Sequence, residues 1–158
     1  MNTTNTTDIR NEKIETLNEL IAATRDSAEF YDDASTEATN PQLQSLFSGM
    51  AQSKNNLVDA MSREVKMDGA EPASDSTFLG TLHRLYGDVR GKMSGDDYGY
   101  VAQLEASEDR LLHAFKEVLE DKDTAMPVKE AVRSYLPTVK EHHDKMRDRK
   151  WAMEATRH

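Results

Sequence analysis

The hydrophobic positions of this 158-residue chain recur at steps of three and four, the spacing that puts side chains on one face of an α-helix. Four segments show this pattern. They run from about Asp8 to Ala38, from Pro41 to about Met67, from Val101 to Leu119, and onward from Pro127. Each segment keeps its apolar residues in one stripe, so the pattern predicts four amphipathic helices that bury one side against each other.

Residues that begin or end helices stand between these segments. Asn40 is a good N-cap and Pro41 suits a first helical position, so Asn40-Pro41 divides the first helix from the second. Gly69 is placed to stop the second helix. The long connection that follows contains its own amphipathic segment, residues 77–93. As a helix, this segment would span about 25 Å, roughly one bundle length.

A connection of that length can return the chain to the other end of a bundle. Helices two and three are therefore expected to run parallel, as in the crossover topology of ferritin-like bundles. The sequence predicts an all-α fold, namely a ferritin-like four-helix bundle with a short crossover helix between helices 2 and 3.

Two carboxylates interrupt the apolar stripe of the third helix. Glu105 and Glu108 stand in phase with Val101, Leu112 and Phe115, so both are expected to face the interior. A buried carboxylate must pair with a cation, hold a proton or bind a metal, because burying it bare is too costly. We therefore expect these two to be the most buried carboxylates of the chain.

The second helix is polar at its centre, where Gln52, Ser53, Lys54, Asn55 and Asn56 stand together. If the apolar stripe continues, at least one of Ser53 and Lys54 faces the interior. The simplest interpretation is a small residue, or a lysine whose stem is buried and whose ammonium reaches water.

The first interpretation of the two glutamates is a buried polar layer without chemistry. Candidate partners are a cation or a hydroxyl on a neighbouring helix, namely Lys54, Arg25, Tyr135 or His143. Such a layer would fix the register of the helices rather than perform chemistry.

The second interpretation is a partial metal site for iron or manganese. A dinuclear bundle site takes a glutamate from each of two helices and Glu-x-x-His from each of the other two. Here Glu105, Glu108 and His143 would be ligands, with Glu29 as a fourth. Half of the pattern is absent, because Lys140 stands where the fourth helix would need its glutamate.

Other candidate residues carry weaker signals. His83 and Arg84, adjacent on the crossover segment, could bind an anion, although such a pair more commonly docks a helix. His113 and His142 have no partner in any motif and are expected to be structural or exposed. Trp151 stands among basic residues and is expected to pack at a helix end.

Composition excludes several classes of protein. The chain has no cysteine and a net charge of −9, which argue against disulfides, thiolate metal sites and general nucleic-acid binding. No apolar run is long enough for stable membrane insertion. We expect a disordered tail at residues 1–7, one domain at 8–153 and a frayed end at 154–158. The first residues carry no export signal, so a cytoplasmic location is expected.

Seven short segments stand in a specific order and spacing. They are LNELI at 17–21, NPQLQSLF at 40–47, GAEP at 69–72, GTLHRLY at 80–86, GDD at 95–97, EASED at 105–109 and HD at 143–144. Together they resemble an uncharacterised bacterial four-helix-bundle family of the ferritin-like superfamily, known as a domain of unknown function. The resemblance runs from about Leu17 to Lys150. It implies the fold and a bacterial, cytoplasmic setting, and it implies no activity.

The sequence thus favours a non-enzymatic helical bundle without a cofactor. We expect it to act through protein contacts, as a homodimer or with another partner, in bacterial stress or envelope physiology. The alternative is a ferritin-like protein that handles iron, oxygen or peroxide. A small-ligand carrier is a third hypothesis.

Overall fold

The computed structural model describes residues 6–73 and 95–156, and within these ranges it contains four α-helices and no strand. The helices are α1 (Thr6–Glu37), α2 (Pro41–Met67), α3 (Asp97–Glu120) and α4 (Met126–Thr156). The fold is all-helical and consistent with a four-helix bundle, as the periodicity predicted.

Helix ends lie close to the predicted positions. α1 begins at Thr6, two residues before the expected start at about Asp8, and α4 continues to Thr156, past residue 153 where the predicted domain ended. Pro137 lies inside α4, which remains one helix on both sides of it.

Asn40 caps α2 as predicted, and Asp96, which the sequence analysis did not single out, caps α3. Asn40 Oδ1 accepts the backbone N–H groups of Gln42 at 2.8 Å and Leu43 at 3.4 Å, so two otherwise unsatisfied donors at the start of α2 are bonded. Asp96 does the same for α3 by accepting the N–H of Gly99 at 2.8 Å. Gly69 follows α2 with a φ of +85°, a conformation that glycine adopts at little cost.

The helices pack as two hairpins around one core. α1 lies along α2, α3 lies along α4, and α1 also contacts α3 and α4. The apolar stripes face inward, and the side chains of these stripes are buried, among them Leu17, Ile21, Phe47, Leu104 and Phe115. Each such side chain contributes about 1.5–3 kcal/mol by leaving water, and the four stripes together provide the main stabilisation of the bundle.

Helices α2 and α3 begin at the same end of the bundle. Asp97, the first residue of α3, accepts the backbone N–H groups of Thr39 and Asn40 at the start of α2. Lys54 and Glu108, near the middle of the two helices, are also in contact. Two contacts at matching depths mean that α2 and α3 run in the same direction.

The predicted crossover helix at residues 77–93 lies outside the described residues, as do His83 and Arg84. None of the described helices is long and apolar enough to span a membrane.

Candidate functional site

Three helices meet at the carboxylate of Glu108, halfway along α3. Lys54 of α2 donates from Nζ to Oε1 at 2.5 Å, and Tyr31 of α1 donates from its hydroxyl to Oε2 at 2.6 Å. All three residues have 0% exposure. Both carboxylate oxygens are thus bonded to donors from two other helices, which satisfies a charge that would otherwise be too costly to bury. We call Tyr31, Lys54 and Glu108 the central cluster.

The position of Lys54 differs from the simplest expectation for it. Its ammonium does not reach water at the edge of the bundle but ends in the interior on Glu108. Burial lowers the pKa of Lys54, and the attraction and hydrogen bond of Glu108 oppose that shift. The ion pair was among the predicted partnerships, and the structure confirms it.

Tyr31 is the member of the cluster that sequence reasoning did not assign. It lies on the buried face of α1, but nothing in the sequence marked its hydroxyl as a partner of Glu108. Its ring lies 6.4 Å from that of Phe47 of α2 at an angle of 47°. The sequence feature that could have predicted this bond is a tyrosine within the apolar stripe of α1, because a buried tyrosine hydroxyl usually finds an acceptor.

The fourth helix contributes His142 to the same part of the interior. His142 is 6% exposed, and its Nδ1 is buried with no hydrogen-bond partner among the described residues. Burial lowers the pKa of His142 to about 3, and the positive charges of Lys54 and Lys145 act in the same direction. The imidazole is therefore neutral above about pH 3.

Glu105 has a different environment from Glu108, although the two are one turn apart. Its side chain keeps 19% exposure, and its ion-pair partner is Lys150 of α4 at 3.8 Å. The expectation that both glutamates would be the most buried carboxylates is wrong for Glu105, because Asp26 is only 4% exposed. Glu105 is more exposed than Glu108 because it lies on the side of α3 that faces the edge of α4, where Lys150 is its partner.

The residues of the proposed metal set have separate surroundings. His143 contacts Asp109 Oδ1 through Nε2 at 3.2 Å and Asp144 Oδ1 through Nδ1 at 3.1 Å. Glu29 is on the exposed side of α1. Over residues 6–73 and 95–156, no three His, Asp or Glu side chains are grouped so that they could hold a metal ion. Both carboxylate oxygens of Glu108 already accept hydrogen bonds, one from the Lys54 ammonium and one from the Tyr31 hydroxyl.

Asp97, in the short segment GDD at residues 95–97, bonds to the turn between two helices. Asp97 accepts the backbone N–H of Thr39 at 2.8 Å, the Thr39 hydroxyl at 2.9 Å and the N–H of Asn40 at 2.9 Å. The Thr39 N–H lowers the pKa of Asp97, and the other two donors add to this effect. Asp97 therefore fixes the turn between α1 and α2 against the start of α3.

The loop after α2 is held against α1 in a similar way. Asn18 donates to the carbonyl of Glu71 at 3.2 Å and accepts the N–H of Ala73 at 2.8 Å. Arg25 donates to the carbonyl of Ala73 at 2.9 Å. Arg25 was a candidate partner for the glutamates, and this hydrogen bond gives it another role.

The central cluster combines an amine, a carboxylate and a phenol, but all three side chains are inaccessible to solvent. A substrate would reach them only if the bundle opened. The role that this geometry supports directly is structural, because the three bonded side chains fix the register between α1, α2 and α3.

Comparison with known proteins shows the family of the chain. The sequence profile of the family described as "Domain of unknown function (DUF2383)" matches residues 12–121. The match covers more than half of the chain, and the chain belongs to this family. No curated protein matches the sequence.

Proposed function

We propose that the protein is a non-enzymatic, ferritin-like helical bundle that acts through protein contacts in the bacterial cytoplasm, in stress or envelope physiology. The observation that carries the proposal is the bond from Lys54 to Glu108 in the interior. A protein cation stands at the point where a ferritin-like metal centre would need a second-helix carboxylate.

The parallel direction of α2 and α3 supports the ferritin-like part of the proposal. Two parallel helices joined by a long connection, residues 68–96, require the chain to return along the bundle. A crossover segment at residues 77–93 would provide that return.

Electrostatics opposes the alternative, a protein that handles iron, oxygen or peroxide through Glu105, Glu108 and His143. A divalent ion at Glu108 would have to displace Lys54 or lie beside its positive charge, and like charges at a few ångströms repel strongly in a medium of low polarity. Glu105 and His143 would also have to leave Lys150 and Asp109.

Metal content separates the two functions. We expect protein purified without chelators to contain iron and manganese far below one ion per chain by elemental analysis. Added Fe(II) or Mn(II) should leave the melting temperature unchanged. A rise of many degrees in the wild type that is absent from Glu108→Gln would instead support the metal function. The matched control is His113→Ala, which changes an exposed residue of the same helix and should respond to metal as the wild type does.

An exposed aromatic residue supports the contact function. Trp151 is 58% exposed, which differs from the expectation that it packs at a helix end. The guanidinium of Arg147 lies 4.9 Å from the centre of its ring, a distance typical of a cation–π contact. Tryptophan and arginine are both enriched in protein interfaces.

We propose that the partner at Trp151 is a second copy of the chain. Light scattering should then show a dimer whose fraction rises with concentration. Trp151→Ser should reduce that fraction, whereas Met67→Ser is the matched control, since Met67 is 85% exposed at the other end of the bundle. A wild type that stays monomeric at all concentrations would contradict self-association.

A further inference from the structure

The side of α4 that points away from the core carries a stripe of accessible residues. The buried side of the helix is formed by Val139, His142 and Met146 in this region. At about 100° per residue, the opposite side is a stripe roughly 100° wide. Its members, which we call the α4 outer face, are Pro137, Lys140, Glu141, Asp144, Asp148 and Trp151, and all of them are exposed except Asp144, which is half-buried.

The charges of this face have a mirror pattern around Asp144. Lys140 and Asp148 lie four residues to either side of it, and Glu141 and Arg147 lie three residues to either side. Each of these two pairs combines a cation with an anion. The side chains of Lys140 and Asp148 are 63% and 64% exposed, so both charges are available to another molecule.

A mirror pattern of opposite charges makes a helix face complementary to itself. When two copies of a helix pack antiparallel about a two-fold axis, residues at equal distances from the axis face each other. With the axis at Asp144, Lys140 would face Asp148 of the second copy and Glu141 would face its Arg147, and each contact would occur twice. In a parallel pair each of these residues would face its own copy, and the like charges would repel.

The residue on the axis is compatible with this arrangement. The two Asp144 carboxylates would be near each other, but each has cations of its own chain close by. Lys140 Nζ lies 3.7 Å from Asp144 Oδ2, and Arg147 Nη1 lies 3.3 Å from Asp144 Oδ1. These cations offset the repulsion between the two carboxylates.

The ends of the face supply an apolar contact. Pro137 and Trp151 lie seven residues to either side of Asp144, so the same symmetry places the indole of one copy over the proline ring of the other. Trp151 is 58% exposed in the single chain and has a large surface to bury.

We propose that the α4 outer face is the dimer interface of this protein, with the α4 helices of two copies packed antiparallel about a two-fold axis at Asp144. The inference rests on the proposed self-association at Trp151 and adds its geometry. A contact between residues 137–151 of two helices is about 21 Å long and one helix wide. This is smaller than the roughly 800 Å² per partner of a standard interface, so the dimer should dissociate on dilution.

Single charge reversals test the pairing, with sedimentation equilibrium as the measurement. Lys140→Glu and Asp148→Lys each place two like-charge pairs in a homodimer, and each should raise the dissociation constant at least about tenfold. Lys116→Glu and Asp59→Lys are matched controls, because they make the same charge changes at exposed positions of α3 and α2 and should keep the wild-type constant. Circular dichroism checks that every variant is folded.

Mixing the two variants tests the antiparallel geometry. In a dimer of one Lys140→Glu chain and one Asp148→Lys chain, each substituted residue faces an opposite charge, and the second contact is that of the wild type. The equimolar mixture should therefore recover the wild-type dissociation constant within about threefold. A mixture that dimerises as weakly as the separate variants would overturn the antiparallel pairing.

The remaining outcomes separate this inference from the function on which it rests. A dimer that Trp151→Ser weakens, but that neither charge reversal changes, would overturn the pairing of the α4 outer face and leave self-association standing. A wild type that is monomeric at all concentrations would overturn both. A monomeric wild type that sediments with phosphatidylglycerol vesicles would assign the basic end of α4 to a lipid surface instead.

Discussion

Glu108 and Glu105 lie one turn apart on α3, yet they belong to different regions of the molecule. Glu108 has 0% exposure and bonds to Lys54 and Tyr31, whereas the side chain of Glu105 is 19% exposed and lies 3.8 Å from Lys150. The same residue type, one turn apart on one helix, is a fully buried ion-pair partner in one case and part of a partly exposed ion pair in the other. The difference shows that burial and the number of bonded donors, rather than the charge itself, decide the role of a carboxylate.

The largest effect should come from removing the charge at Glu108. Glu108→Gln leaves the buried Lys54 ammonium without a counter-charge, and we expect a loss of about 3–5 kcal/mol in the free energy of unfolding. Urea denaturation followed by circular dichroism measures this loss. A loss below about 1 kcal/mol would mean that the pair carries no net ionic interaction in the folded state.

A second substitution separates the stranded cation from other causes. Adding Lys54→Met to Glu108→Gln removes the cation, so the double variant should recover most of the lost free energy. If the double variant is as unstable as Glu108→Gln alone, the loss comes from packing and not from charge.

The next largest effect should come from Tyr31→Phe, which keeps the ring and deletes the hydroxyl that bonds Glu108 Oε2. A hydrogen bond to a charged group contributes about 1.5–3 kcal/mol, and we expect a loss in this range by urea denaturation. Tyr98→Phe is the matched control, because the Tyr98 hydroxyl bonds Glu154 at 2.7 Å in a half-buried position. If both variants lose the same free energy of unfolding, the buried hydrogen bond of Tyr31 contributes no more than a half-buried one.

His142 should make the stability of the central region depend on pH. Its pKa is lowered to about 3 in the folded protein from 6.5. Between these values the unfolded chain binds a proton that the folded protein does not, so stability rises with pH and is lost as pH falls from 6.5 toward 3. The slope from this group should approach about 1.4 kcal/mol per pH unit.

Comparison of variants isolates that slope from the other titrating groups. His142→Leu should show a shallower fall of stability between pH 6.5 and about 4 than the wild type, whereas His113→Leu should follow the wild type. Parallel curves for wild type and His142→Leu would show that His142 titrates alike in the folded and unfolded states.

The smallest effect is expected at the other glutamate. Glu105→Gln removes one charge from a partly exposed pair whose atoms are 3.8 Å apart, and such pairs contribute about 0–1 kcal/mol. The same urea experiment measures it, with Lys150→Gln as the reciprocal change. A loss at Glu105 as large as that at Glu108 would remove the distinction between the two regions.

The sequence by itself determined the helices and much of their inward faces. Steps of three and four identified the stripes, and Asn40-Pro41 and Gly69 marked the helix ends because caps are local interactions between neighbouring residues. It also indicated that Glu108 needed a partner and that the polar centre of α2 could supply one. These inferences depend on contacts within one helix or on the cost of burying a charge.

Only the tertiary structure decided which polar groups meet. Tyr31 is 77 residues from Glu108 and Lys54 is 54 residues away, so their contacts depend on the register between helices. A shift of one turn, about 5.4 Å, would separate these atoms without changing any stripe. For the same reason the sequence did not show that Glu105 lies at the α4 edge. Periodicity specifies the face of a helix, while packing specifies what that face touches.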